Sequence, residues 1–135
     1  MLELQQRRII GQDWLIAEFV NMANRLDLGI DVTLQVGGIM VSGMLIGGQA
    51  YFTELARSVA DANGEPAVNS MLSEFLLRHA HIYEVNPDDP VDIPGYIHLS
   101  NARFFAAGGA PIGTDGALWR GRISEISGFF LGSLE

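Results

Sequence analysis

The sequence predicts an α+β protein: a small barrel of five strongly bent antiparallel strands, an N-terminal helix, and two helices inserted between strands 2 and 3. Three observations carry this. Residues Gly95–Leu134 alternate in short apolar runs broken by glycine, as strands do. Residues Ile30–Ile46 form a second such pair of runs around Gly37-Gly38. Between the two blocks the apolar spacing switches to that of helices. With 135 residues the chain is expected to be one domain, residues 1–135.

Met1–Gly11 reads as an extended lead-in. A helix is expected over 12–28, with Asp13 near its start and Gly29 as its terminator. Leu15, Phe19, Met22 and Leu26 form one apolar stripe, widened by Ile16, Val20 and Ala23; Glu18, Asn21, Arg25 and Asp27 take the wet side. In strand 1, Ile30–Val36, Ile30, Val32, Leu34 and Val36 oppose Asp31, Thr33 and Gln35. Gly37-Gly38 suits a tight hairpin turn. Strand 2, Ile39–Ile46, is apolar on both faces and carries Gly43 mid-run, the mark of a bulge or of the bend that closes a small barrel.

The helical insertion spans 49–81. Its first helix has Phe52, Leu55, Ala56 and Val59 on one stripe and stops before Gly64. Its second starts at Pro66, which suits a first turn, and runs to about Ala80 with Val68, Met71, Leu72, Phe75 and Leu76 as its apolar face. Glu84–Pro94 has three prolines and four acids and reads as a surface loop. Strand 3 follows over Tyr96–Phe105. Ala106–Ala117 reads as a second, glycine-rich loop. Strand 4, Leu118–Ile123, places Trp119, Gly121 and Ile123 on one face and Leu118, Arg120 and Arg122 on the other. Strand 5 lies within Ser124–Leu134.

The net charge is −8, and all eight basic residues are Arg. Such a field repels nucleic acid unless arginines segregate to one face. Apolar residues make up 48% of the chain, enough for a full core plus apolar surface that a partner or a second copy covers. No apolar run reaches the ~18 residues a membrane helix needs. The first residues lack the uninterrupted apolar stretch of a secretory signal, so no export is expected. There is no cysteine, which removes thiol chemistry and fits a cytoplasmic location.

No catalytic constellation stands out. His79 and His81 lack the spacing and the third ligand of a metal site and read as a helix C-terminus favouring cations. His98 reads as a half-buried or ladder residue of a strand. Asp88, Asp89 and Asp92 lack a calcium-loop spacing and read as a solvated acidic loop. Ser42, Ser100, Ser124 and Ser127 have neither a nucleophile-elbow context nor a base partner. Gly108–Gly116 lacks the Lys-Ser/Thr of a phosphate cradle. No cofactor, metal or catalytic residue is expected. The candidate interaction surface is Trp119, Arg120, Arg122, Phe129 and Phe130. Consecutive Phe129 and Phe130 must point to opposite faces of a strand, and an exposed aromatic beside arginine is the composition of a binding hot spot.

The order of an N-terminal helix followed by bent strands, with Ile97–Arg103 as third strand and Trp119-Arg120-Gly121 after it, resembles the Sm-like (SH3-like) barrel fold. The Asp-x-aromatic-Asn turn of Sm-like RNA binders is missing, so their uridine pocket is not implied. A nucleic-acid-binding Sm-like protein is the alternative reading, disfavoured by the acidic charge. Over nearly the whole chain, Ile30–Gly43, Tyr51-Phe52 with Leu55, Tyr96–Arg103 and above all Leu118–Leu134 (LWRGRISEISGFFLGSL) resemble the gas vesicle accessory protein family GvpU. The resemblance implies a small, cytoplasmic, non-enzymatic protein associated with gas vesicles, with no active site or cofactor. The expected partners are the vesicle shell or other gas vesicle accessory proteins, and a second copy of the chain in a homo-oligomer; no nucleic acid or membrane is expected. Contact with these partners is expected to promote vesicle assembly or clustering.

Overall fold

The computed structural model describes residues 11–84 and 93–134. The elements run α1 (Trp14–Leu26), β1 (Ile30–Val36), β2 (Ile39–Ile46), α2 (Gly48–Ala60), α3 (Pro66–Ala80), β3 (Tyr96–Ala106), β4 (Pro111–Arg122) and β5 (Ile126–Leu131). Single 3₁₀ turns, His81–Tyr83 and Ile123–Glu125, follow α3 and β4. The lead-in before Gly11 and most of the proline-rich acidic loop, with Asp88, Asp89 and Asp92, lie outside the described residues.

Asp13 starts α1 by accepting the Leu15 backbone N–H at 2.8 Å. Asp27 ends it in the left-handed region, φ 53°, one of the few side chains that tolerate that backbone. Gly29, expected as the terminator, has another role: a Cβ there would lie 2.6 Å from Met44 Sδ. The helix is also rolled relative to the predicted stripe. Ile16, Ala17, Val20 and Ala23 are buried, while Leu15, Met22 and Leu26 are exposed. Small Ala17 and Ala23 let this side lie close against the sheet. The same roll buries Glu18, expected on the wet side, and leaves its Oε1 without a hydrogen-bond partner.

The strands form one antiparallel sheet in the order β4-β3-β2-β1-β5. Hairpin pairing sets β1 against β2 with Val36 opposite Ile39. Gly43 lies where the β2–β3 register shifts, as its place in the sequence predicts. Asn101, with φ 50°, lies within a second shift between β3 and β4. The predicted loop Ala106–Ala117 is mostly strand: β4 begins at Pro111, and the turn after Ala106 is closed by Ala106 N–H donating to Ala110 O at 2.8 Å.

These bends curl the sheet tightly. Laid flat, β4 and β5 would stand four strand spacings, about 19 Å, apart. The chain nevertheless passes from one edge to the other through Ile123–Glu125 alone, and a 3₁₀ turn advances only ~2 Å per residue. The two edges therefore meet at one corner. They do not pair along their length, so the sheet is open where the sequence predicts a closed barrel. Residues of α1 take part in closing the core: Ile16, Val20 and Ala23 cluster with Val32, Leu34, Val41, Leu45, Ile97, Leu99, Ala102, Ile123 and Ile126.

A second core lies on the other face of β2 and β3. There Ile46, Tyr51, Phe52 and Ala80 pack together, with Leu55, Leu76, Tyr83 and Leu118 against them. The insertion thus rests on the sheet, and neighbouring residues of one strand serve different cores. Leu45 and Leu99 pair across the strands and enter the α1 core; Ile46 and His98 pair and face the insertion.

Candidate interaction surface

The sequence brings an arginine-rich, aromatic stretch to the β4 edge, and register decides what each side chain meets. Trp119 pairs with Leu99, Arg120 with His98, Gly121 with Ile97 and Arg122 with Tyr96. Alternation then separates the roles. Trp119 leans half-buried on the α1 core, and its indole lies over Gly121, where a Cβ would collide with the ring. The Trp-Arg-Gly triplet is thus a packing unit as well as a chemical one. Arg120 and Arg122 project to the opposite face and are exposed.

Arg120 is the centre of this face. Its guanidinium lies 3.7 Å from the centroid of the Tyr96 ring and 5.8 Å from that of Phe52. Its Nε–H donates to His98 Nε2 at 3.2 Å. That bond requires Nε2 to be the acceptor, so His98 is neutral with its proton on Nδ1. His98 is a ladder residue between Ile46 and Arg120 and is 1% exposed rather than half-buried, with the rings of Tyr51, Phe52 and Tyr83 4.6, 5.9 and 5.5 Å away. Burial, with the Arg120 charge added, lowers its pKa to about 4. Burial raises the pKa of the Tyr51 phenol, and Arg120 opposes that shift.

Tyr96, Trp119, Arg120, Gly121 and Arg122 line a shallow cleft with Val36 and Glu125 at the corner where the sheet edges meet. The predicted surface is only partly assembled there. Phe129 pairs with Leu34 and turns inward, edge-on to Phe19 at 6.2 Å. Phe130 pairs with Thr33 on the other face and is 46% exposed. Neither phenylalanine lines the cleft. Glu125 joins it from the turn directly after β4, whereas Tyr96 and Val36 join through long-range pairing, with Arg122 and Ile126, that no local sequence pattern announces.

His79, His81, Ser42 and Ser127 have structural partners. His79 Nδ1 is 3.0 Å from Phe75 O, and His81 Nδ1 is 2.7 Å from a Glu84 carboxylate oxygen. Among the described residues no group of three or more His, Asp or Glu side chains could hold a metal. The Ser42 hydroxyl accepts Leu134 N–H at 2.8 Å and lies 3.1 Å from Thr33 Oγ1, tying residues beyond β5 to the sheet. Ser127 Oγ donates to the Gln35 carbonyl at 3.3 Å. No described helix is long and apolar enough to cross a membrane.

A curled antiparallel sheet backed by helices, with an arginine–aromatic cleft at its edge, describes a mixed α and β protein. Its family is specific: the chain belongs to the gas vesicle protein GvpU-like family, whose profile matches residues 13–134. Membership gives it a gas vesicle accessory role. No curated protein and no solved structure matches the chain.

Proposed function

We propose that the protein is non-enzymatic and acts by protein–protein contact with the gas vesicle shell or with other gas vesicle accessory proteins, promoting vesicle assembly or clustering. The observation that carries the contact is the cleft of Tyr96, Trp119, Arg120 and Arg122 beside the open β4 edge. Two arginines on an otherwise acidic chain select a partner segment bearing carboxylates, and the flanking rings supply flat apolar area. The open edge offers backbone groups to an added strand, from the partner or from another copy of the chain. The strand order, the tight curl and the preceding helix support an Sm-like layout, in which such edges join copies. Phe130, exposed on β5, is a separate part of the surface.

Flotation tests this reading. The protein is mixed with isolated gas vesicles, which are then floated by centrifugation. The protein is expected to rise with them, and Arg122→Glu to reduce the bound fraction at least about tenfold, as loss of a charge-assisted contact does. Protein that stays below, or an Arg122→Glu variant that rises unchanged, would remove the β4 cleft as the vesicle-binding surface.

A further inference from the structure

The insertion carries an apolar face that the fold leaves open. Val68, Met71, Leu72 and Phe75 recur at i, i+3, i+4 and i+7 on α3, the stripe of a core-facing helix. They are nevertheless 46%, 68%, 46% and 47% exposed. Ile82, in the turn after α3, is 72% exposed and lies seven residues beyond Phe75, as Val68 lies seven before it. The side that meets α2 is a different one. There Ser73 Oγ donates to Ala56 O at 3.0 Å, and Leu76 and Ala80 join the second core.

We infer that this face packs against the same face of a second copy, α3 against α3, antiparallel about a two-fold axis near Phe75. Three features select that occupant. The chain carries a net charge of −8, but α3 holds one acid, Glu74, and one arginine, Arg78, so two copies meet here without the repulsion of their other surfaces. The same composition argues against a lipid surface, which favours helices rich in Lys and Arg. An isologous antiparallel pairing about Phe75 sets Val68 opposite the partner's Ile82 and Phe75 beside its own copy, with Met71 and Leu72 over the partner's His79 and the partner's Arg78, the side chains that flank the Phe75 ring. The area also fits. These side chains expose roughly 500 Å² per copy, at the upper end of what a monomer leaves open. Pairing two of them removes up to about 1,000 Å², the threshold of a specific interface.

The inference goes beyond the β4 cleft and is independent of it, and no vesicle enters its test. Sedimentation velocity on the full chain over a concentration series is expected to show a reversible dimer. Phe75→Glu and Met71→Glu are each expected to raise its dissociation constant at least about tenfold with the circular dichroism spectrum unchanged. The chain has no cysteine, so introduced thiols report geometry directly. Phe75→Cys is expected to form an intermolecular disulfide. Val68→Cys and Ile82→Cys are expected to cross-link when mixed and not singly. A chain that stays monomeric throughout, a dimer indifferent to Phe75→Glu, or Val68→Cys cross-linking to itself would overturn the proposal. Binding of a monomer to phosphatidylcholine vesicles, lost on Phe75→Glu, would overturn it in favour of a lipid. Should Phe75→Glu fail to fold, the mixed-cysteine experiment decides alone.

Discussion

Gly43 shows how one missing methyl group shapes the molecule. A Cβ at this position would sit 2.9 Å from the Ser100 carbonyl oxygen and 3.0 Å from Ala102 Cα. Both are backbone atoms of the neighbouring strand and cannot swing aside as a side-chain tip would. Gly43→Ala is therefore expected to destabilise by about 2–3 kcal/mol, as overpacking does, read as a lower urea midpoint at unchanged slope. A midpoint within experimental error of the wild type would show that the strands can part at little cost. Gly121 differs in kind, because its obstacle is the Trp119 indole rather than backbone. A single glycine inside an apolar run already announces a bend. The roles within Trp119–Arg122 were half legible. Alternation separates Trp119 from the arginines, but that Arg120 would rest on Tyr96 and hydrogen-bond to a buried His98 follows only from the pairing of β3 with β4.

At the scale of elements, α1 has its start written in the sequence and its orientation hidden. The Asp13 cap satisfies a first-turn N–H, and Asp13→Ala is expected to cost about 1 kcal/mol, seen as a drop in thermal midpoint. No drop would mean that packing of Ile16 and Val20 alone holds the first turn. The roll of the helix was not legible, because two overlapping stripes satisfy the same period. The choice between them is made by the small Ala17 and Ala23, which permit closer approach to the sheet than Leu15 and Met22 do. The first half of β4 was obscured for a related reason. Its glycines and proline read as loop, yet β3 offers a ladder that holds them as strand. On α3 the apolar pattern was legible and its burial was not: a stripe states that something must cover it, without saying whether the cover comes from the same chain.

For the whole molecule, the neutral His98 couples the insertion to the sheet. An ordinary histidine titrates near 6.5, whereas His98 in the folded protein does so at about 4. Between those values the unfolded chain takes up a proton that the folded chain refuses. The contribution of His98 is therefore full above about pH 6.5 and is lost as pH falls toward 4, by about 3 kcal/mol in total. Urea unfolding at pH 7 and pH 4.5 is expected to show this loss in the wild type. In His98→Gln, which can still accept from Arg120, the loss is expected to be smaller. Equal pH dependence in the two proteins would mean that His98 is not the group responsible. Protonation would also set a second positive charge against Arg120, so the expected acid response begins where Tyr51, Phe52 and Tyr83 meet β3.

The three-residue passage from β4 to β5 has a consequence for how the chain comes into being. β5 pairs with β1 about 95 residues after β1 has been made, Phe129 against Leu34. Until then β1 has a neighbour on one side only, and its other margin offers unpaired backbone groups beside Val32 and Leu34. Contacts of such long sequence separation close slowly. A nascent or truncated chain lacking residues past Glu125 would thus present a sticky strand to its neighbours on the ribosome. Translation of the last strand is the step that conceals it.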